Sequence, residues 1–285
     1  MNSDPGSRCR QEVIVAVDSS QPTALPLRPV AFGISEDTDP WWNPSAPEFV
    51  AAANSVSLVM PYAEPFFART ARRAVERLDD PLATVAADFA AQELAHQAEH
   101  RRLNAAIRRH SPGVRRVERA LRWVFARLGR RSIEANLAFV AAAECIAYCL
   151  ARWTSNHLPL FQQCADPTVT RMFIWHLAEE VEHKSVGHDL WVALDGRRRR
   201  YVDNALLAAC VVLSAVVAGT VVQLHSTRRL WNPLSWVRLV WWATSVGMEV
   251  LPTLATSCLR GHHPSRLVDP SWYALWLADL DAGDR

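Results

Sequence analysis

The chain lacks the short signatures by which catalytic chemistry is most often read. It contains no GxSxG, no Walker A loop, no GxGxxG and no HExxH, which removes the nucleophile elbow, the phosphate loop, the dinucleotide fingerprint and the zincin helix. Its six cysteines (Cys9, Cys145, Cys149, Cys164, Cys210, Cys258) show no CxxC spacing. That excludes the usual structural zinc patterns, and reduced cysteine in apolar helical surroundings is an ordinary core residue, as fits a reducing, cytoplasmic compartment. Almost no stretch alternates with period two, so strands are not expected. No charged start followed by an apolar run opens the chain, so a secretory signal is not expected. Positive charge is not concentrated either: the formal net charge is +2 and only Arg197 to Arg200 form a run. Nucleic acid is therefore not an expected partner.

What is present is helix. Long Ala/Leu/Arg/Glu-rich segments with 3.6-residue periodicity predict an all-α fold, with helices over 45–60, 64–78, 81–110, 115–128, 132–156, 167–195, 200–227, 233–258 and 270–280. Asp80-Pro81 and Asp166-Pro167 open two of them; Ser111-Pro112-Gly113 closes one. With 285 residues, half of them apolar, the chain can bury a large core. Residues 1–40, rich in Pro, Ser and Asp, read as mostly disordered. Residues 41–196 read as a metal-binding bundle, and 197–285 as apolar helices packing on it or on a membrane surface. Residues 205–224 carry no charge over twenty positions, the length of a bilayer span, but a buried helix has the same composition. Membrane association through 205–242 and homodimer formation both stay open.

The polar residues that interrupt this pattern are few and repeat. Gln92-Glu93-Leu94-Ala95-His96, followed by His100 and Asn104, has a counterpart in His176 with Glu179-Glu180-Val181-Glu182-His183-Lys184. Residues three or four apart share a helix face, so Glu93/His96 and Glu180/His183 each aim two ligands at one point. A solvated face would suffice for one such stripe, but the duplication argues for a shared centre. Glu144 is the single charge in Leu137–Ala151, and Glu64 stands alone in Val59–Phe67. A buried carboxylate without a partner costs several kcal/mol, so each needs a cation, a proton or a hydrogen-bond network. Pro65 disfavours helical geometry at Glu64, which places that ligand at a helix start.

One Glu from each of two helices plus Glu-x-x-His from each of two others is the inventory of ferritin-like di-iron and di-manganese bundles. The expected fold is a ferritin-like four-helix bundle with additional C-terminal helices. The expected ligands are Glu64, Glu93, His96, Glu144, Glu180 and His183. Four carboxylates offset two divalent ions, iron first, with manganese or zinc as alternatives. His100, His176, Glu179, Tyr148, Lys184 and Asn104 are candidates for further ligands, outer partners or proton relays. His262-His263-Pro264 reads as turn chemistry rather than a second metal centre.

Glu64-Pro65-Phe66-Phe67, Gln92-Glu93-x-x-His96, Ala143-Glu144 and Trp175-His176-x-x-Glu179-Glu180-x-Glu182-His183-Lys184-Ser185-Val186 resemble a bacterial family labelled "predicted metal-dependent hydrolase", whose members belong among the ferritin-like bundles. The resemblance runs from about residue 45 to 280 and takes in His263-Pro264. Where the family pattern often has His after the third glutamate, Cys145 stands here; where it has Gly-Glu, Ala63-Glu64 stands here. The resemblance implies a hydrolase using a metal-bound hydroxide. The ligand inventory instead favours O2-dependent oxidation of an apolar or amphipathic small molecule at an open position facing an apolar pocket, with an external electron donor. Oxidation is the first expectation and hydrolysis the alternative, with a non-catalytic metal-binding bundle as the third.

Overall fold

The structure, a computed structural model, describes residues 24–164 and 166–283. These form ten α-helices and no strand: α1 (Pro47–Val75), α2 (Leu82–His110), α3 (Val114–Leu128), α4 (Ile133–Thr154), α5 (Pro159–Gln162), α6 (Thr168–His183), α7 (Val186–Leu194), α8 (Arg198–Ser226), α9 (Pro233–Ser257) and α10 (Ser271–Gly283). The four elements that carry the repeated polar residues are α1, α2, α4 and α6. α1 and α2 form the most extensive pair, α4 packs on α6 and α7, and α8 lies across α1 and α4.

The first expectation to fail is the break near residue 60. Pro61 and Pro65 both lie inside α1, which runs unbroken for 29 residues. Proline has no N–H, so each leaves a carbonyl four residues earlier without its helical partner. The two carbonyls set free are those of Ser57 and Pro61, and α2 satisfies both: Asn104 Nδ2 donates to Ser57 O at 2.9 Å and Gln97 Nε2 to Pro61 O at 3.4 Å. Glu64 therefore sits mid-helix, not at a helix start.

The helix expected over 167–195 divides instead after His183, at Lys184 and Ser185. The turn brings Gly187 against α4 so closely that a Cβ there would lie 3.0 Å from Ala141 Cα and 3.2 Å from Glu144 Cγ. The short α5 was not expected. α4 starts at Ser132, whose hydroxyl caps the Ala135 N–H.

The N-terminal segment departs from the disorder expected up to residue 40. Residues 1–23 lie outside the described part, but from residue 24 the chain is an extended strap laid over the bundle. Leu25 and Ile34 are buried, and the Leu25 N–H donates to Asp88.

Two larger apolar clusters, with a small third around Ala151, Val181 and Trp272, fill the interior. One gathers Phe66, Phe89, Phe125 and Phe139 among α1 to α4; the other gathers Trp42, Phe49, Trp153, Phe161, Phe173 and Trp175. α4 and α8 are both long and apolar enough to cross a membrane, but the apolar window of α4 is 72% buried in the protein and that of α8 only 28%. The inner face of α8 is fixed by a polar knot in which Gln223 Nε2 donates to Ser55 Oγ and Ala51 O. Its outer face presents Leu206, Leu213 and Val217, continued on α9 by Val237, Val240 and Leu251.

Replacement of Asn104 by Ala leaves the Ser57 carbonyl buried and unpaired. An unsatisfied buried acceptor costs roughly 1–3 kcal/mol, so urea unfolding of N104A should show a loss of that size, with Q97A losing less because its bond is longer. Unchanged stability in N104A would mean that α1 tolerates its prolines without α2.

Candidate metal centre

All six expected ligands meet at the junction of the two larger apolar clusters, beside Phe89 and Trp175. Each is at least 95% buried. Their functional atoms fall at the spacing of groups around a shared ion. His183 Nδ1 lies 3.1 Å from Glu93 Oε1, 3.7 Å from Glu180 Oε2 and 3.8 Å from Glu144 Oε2, and His96 Nδ1 lies 3.8 Å from Glu93 Oε1. Atoms bound to one ion at about 2.1 Å stand roughly 3.0–3.4 Å apart, so small side-chain shifts would close the set. Glu93, His96, Glu180 and His183 form one compact group; Glu64, with His100 and His176, forms a second.

Eight atoms of this cluster are buried without any hydrogen-bond partner: both oxygens of Glu64 and of Glu93, Oε2 of Glu144, Oε2 of Glu180, and Nδ1 of His96 and His183. Buried polar atoms are almost always paired, so eight orphans facing one another mark a place built for cations. They belong to the six expected ligands alone. His100 and His176 have both ring nitrogens engaged, which sets them apart as an outer pair.

The partners of that outer pair run in one direction. Ser57 Oγ donates to Asn104 Oδ1 at 2.8 Å, so it accepts from His100 Nδ1, also at 2.8 Å. His100 Nε2 then accepts from His176 Nδ1 at 2.6 Å, and His176 Nε2 faces Glu180 Oε1 at 2.7 Å. The result is a chain of hydrogen bonds from Asn104 to the edge of the cluster. It ends at His176 and Glu180, the most exposed of its members at 5% each.

The far nitrogens of the two inner histidines are held from outside. His96 Nε2 meets Glu179 Oε2 at 2.9 Å, and His183 Nε2 meets Gln92 Oε1 at 2.8 Å. Such partners fix the tautomer and aim the other nitrogen inward. Both partners are in turn gripped by the N-terminal strap: Arg28 Nη1 donates to Glu179 at 3.1 Å, and Gln92 Nε2 donates to the Pro26 carbonyl at 2.8 Å. Arg28 also binds Glu182 and lies over the ring of Trp276 in α10.

Three other candidates do not reach the centre. Tyr148 turns away and donates to the Val268 carbonyl at 2.6 Å; Lys184 binds Leu267 O and Asp269. Both pin the loop before α10. Asn104 caps α1 and anchors the hydrogen-bond chain without facing the orphaned atoms. Two surface clefts lie away from the centre. One is lined by Glu48, Val237, Trp241 and Trp242, the other by Trp41, Pro44, Thr227 and Arg229, and neither includes a residue of the cluster. Arg28, Ser57 and Gly187 were not anticipated, and Gln92, though part of the polar stripe, was given no role. That role was findable, since Gln92 lies four residues before His96; Arg28 carried no local signal.

Charge confinement shapes the protonation of the cluster. Burial, reinforced by Glu93 and Glu180, pushes Glu64 and Glu144 well above the usual carboxylate range. Burial also lifts Glu93 to about 7. Burial would raise Glu180 too, but His176 and His183 hold it well below. His183 is opposed by burial yet raised well above its ordinary value by Glu180 and Glu93, while burial and neighbouring histidines depress His96.

Groups with raised folded-state values bind protons in the fold that they release on unfolding, so their contribution to stability is present at low pH and lost as pH rises. Chelator-treated protein should melt at progressively lower temperature as pH climbs from about 5 to above 7. His96 and His100, whose values are lowered, oppose this trend over the lower part of that range but are outnumbered by Glu64, Glu93, Glu144 and His183; the lowered Glu180 acts only below it. Metal-loaded protein should lose less over that range, since bound cations replace the protons. Removal of an outer partner of a ligating histidine costs metal affinity about 10–100-fold, so R28Q should weaken divalent-metal binding by up to that factor in a chelator competition. Affinity equal to wild type would detach the strap from the centre.

No curated protein and no solved structure matches the chain. The sequence model of one family, described as "predicted metal-dependent hydrolase", matches residues 26–267, a span that holds the strap from Pro26, every member of the buried cluster and His263. The chain belongs to that family.

Proposed function

We propose that the protein is a metal-dependent hydrolase whose centre is held by Glu64, Glu93, His96, Glu144, Glu180 and His183. The observation that carries this reading is the set of eight unpartnered inward atoms, and the family description selects hydrolysis among the chemistries such a set can serve. Two divalent cations there would supply Lewis acidity toward a substrate oxygen and acidify a water for attack on an ester, amide or phosphoester. The four carboxylates balance their charge, and the surrounding Phe89, Phe173 and Trp175 exclude bulk water. Glu179 and Gln92 keep His96 and His183 aimed inward. A substrate approaches on the side of His176 and Glu180, where the residual exposure lies. His176 delivers a proton to the leaving group and regains one from the attacking water, while His100, fixed by Ser57, accepts from its Nδ1 and holds the ring.

A second reading, oxidation of an apolar small molecule with O2 and an external electron donor, is favoured by two observations. The ligands come as a Glu from α1 and from α4 and a Glu-x-x-His from α2 and from α6, the inventory of di-iron bundles. The near-complete burial suits a small gaseous reactant.

The two separate on anaerobically purified protein. Hydrolysis of chromogenic ester and phosphoester probes that depends on added divalent metal supports the first reading. Absence of such hydrolysis, together with a transient absorption when ferrous-loaded protein meets O2, would replace it by the second. E144A should lose half or all of the bound metal. H176Q should keep the metal but lose at least about tenfold in rate, with the acidic limb of the pH profile displaced.

A further inference from the structure

A second group of donors lies where α7 meets the loop between α9 and α10, and it shares no residue with the centre described above. His188 Nδ1, Asp189 Oδ1 and His263 Nε2 come from opposite ends of the chain's second half and converge within 4.8 Å of one another. We propose that these three atoms form a mononuclear zinc site.

Three observations carry the assignment. First, His188 is only 7% exposed, and its Nδ1 is buried with no hydrogen-bond partner. That nitrogen lies 3.6 Å from Asp189 Oδ1, too far for a hydrogen bond and close to the roughly 3.3 Å that separates two ligands of one tetrahedral ion. Second, Asp189 Oδ1 already holds the third donor, His263 Nε2, at 2.8 Å. Third, His262 places another buried and unpartnered nitrogen, Nε2, beside the group, its ring 6.5 Å from that of His188. His263 Nδ1 accepts from the Ser265 N–H at 3.3 Å and lies 2.8 Å from Ser265 Oγ. The ring thus carries its proton on Nε2, toward Asp189, and that proton must shift to Nδ1, beside the hydroxyl, for Nε2 to ligate.

The donor set selects the metal class. Two neutral imidazoles and one carboxylate, without thiolate, suit zinc with a fourth position left to solvent. Asp189 and His263 keep 21% and 33% side-chain exposure, so an ion and its water have an entry path. Loading breaks the Asp189–His263 hydrogen bond as the Nε2 proton moves to Nδ1. In return it ties the loop after α9 to α7, one residue from Gly187 and its close contact with α4.

Zinc equilibrium dialysis followed by elemental analysis tests this on the full chain. Wild type should retain one more zinc per chain than H188Q, which removes the unpartnered Nδ1, and one more than H263Q, in which Gln can keep the bond to Asp189. Equal zinc content in all three overturns the proposal. A second measurement separates this site from the buried centre. E93Q/E180Q should still hold one zinc, and adding H188Q should weaken that ion by at least about a hundredfold in chelator competition, more than loss of an outer partner alone. No zinc in E93Q/E180Q, or no effect of H188Q in that background, also overturns it. Should E93Q/E180Q fail to fold, the wild-type comparison with H188Q decides alone.

Discussion

The confinement of four carboxylates in one dry volume is the constraint around which this molecule is organised. Glu64, Glu93, Glu144 and Glu180 would repel one another if all were ionised, and burial removes the water that could screen them. Without cations the answer is protons on the raised groups and on His183, set between Glu93 and Glu180. A loaded protein answers with cations. Either way the helices that carry these residues must arrive at fixed distances, and the packing around them serves that end.

That packing uses two kinds of support. From inside, small residues let backbones approach: Gly187 sits on Ala141 behind Glu144, and Gly219 meets Ser55 where α8 crosses α1. From outside, polar side chains hold the histidines by the nitrogen that does not face the centre. These outer partners are themselves buried and bonded, so the aim of each imidazole is determined two residues deep.

The parts legible in the sequence were those with local arithmetic. Glu-x-x-His spacing put Glu93 with His96 and Glu180 with His183, and the isolation of Glu64 and Glu144 in apolar runs marked them as needing a partner. All six converge in space. What could not be read depended on residues far along the chain. Pro61 and Pro65 broke the expected helix on paper because the amides that donate to the freed carbonyls of Ser57 and Pro61 lie on another helix, at Asn104 and Gln97. Arg28 gave no signal because its partners are more than 150 residues away. Tyr148 and Lys184 shared the right stripes but found nearer carbonyls in the loop before α10. Periodicity predicts which face a residue occupies, not which neighbour will claim it.

The strap has a consequence in time. Pro26 and Arg28 leave the ribosome before any other part of the centre, yet Arg28 has nothing to hold until Glu179, Glu182 and Trp276 have been made. The segment synthesised first is thus among the last to settle. Until it does, His96 and His183 lack the outer contacts that set their final aim. Metal capture and completion of the chain are thereby linked: a half-made protein presents the acids and imidazoles of α1, α2 and α4 without the clamp that orders them.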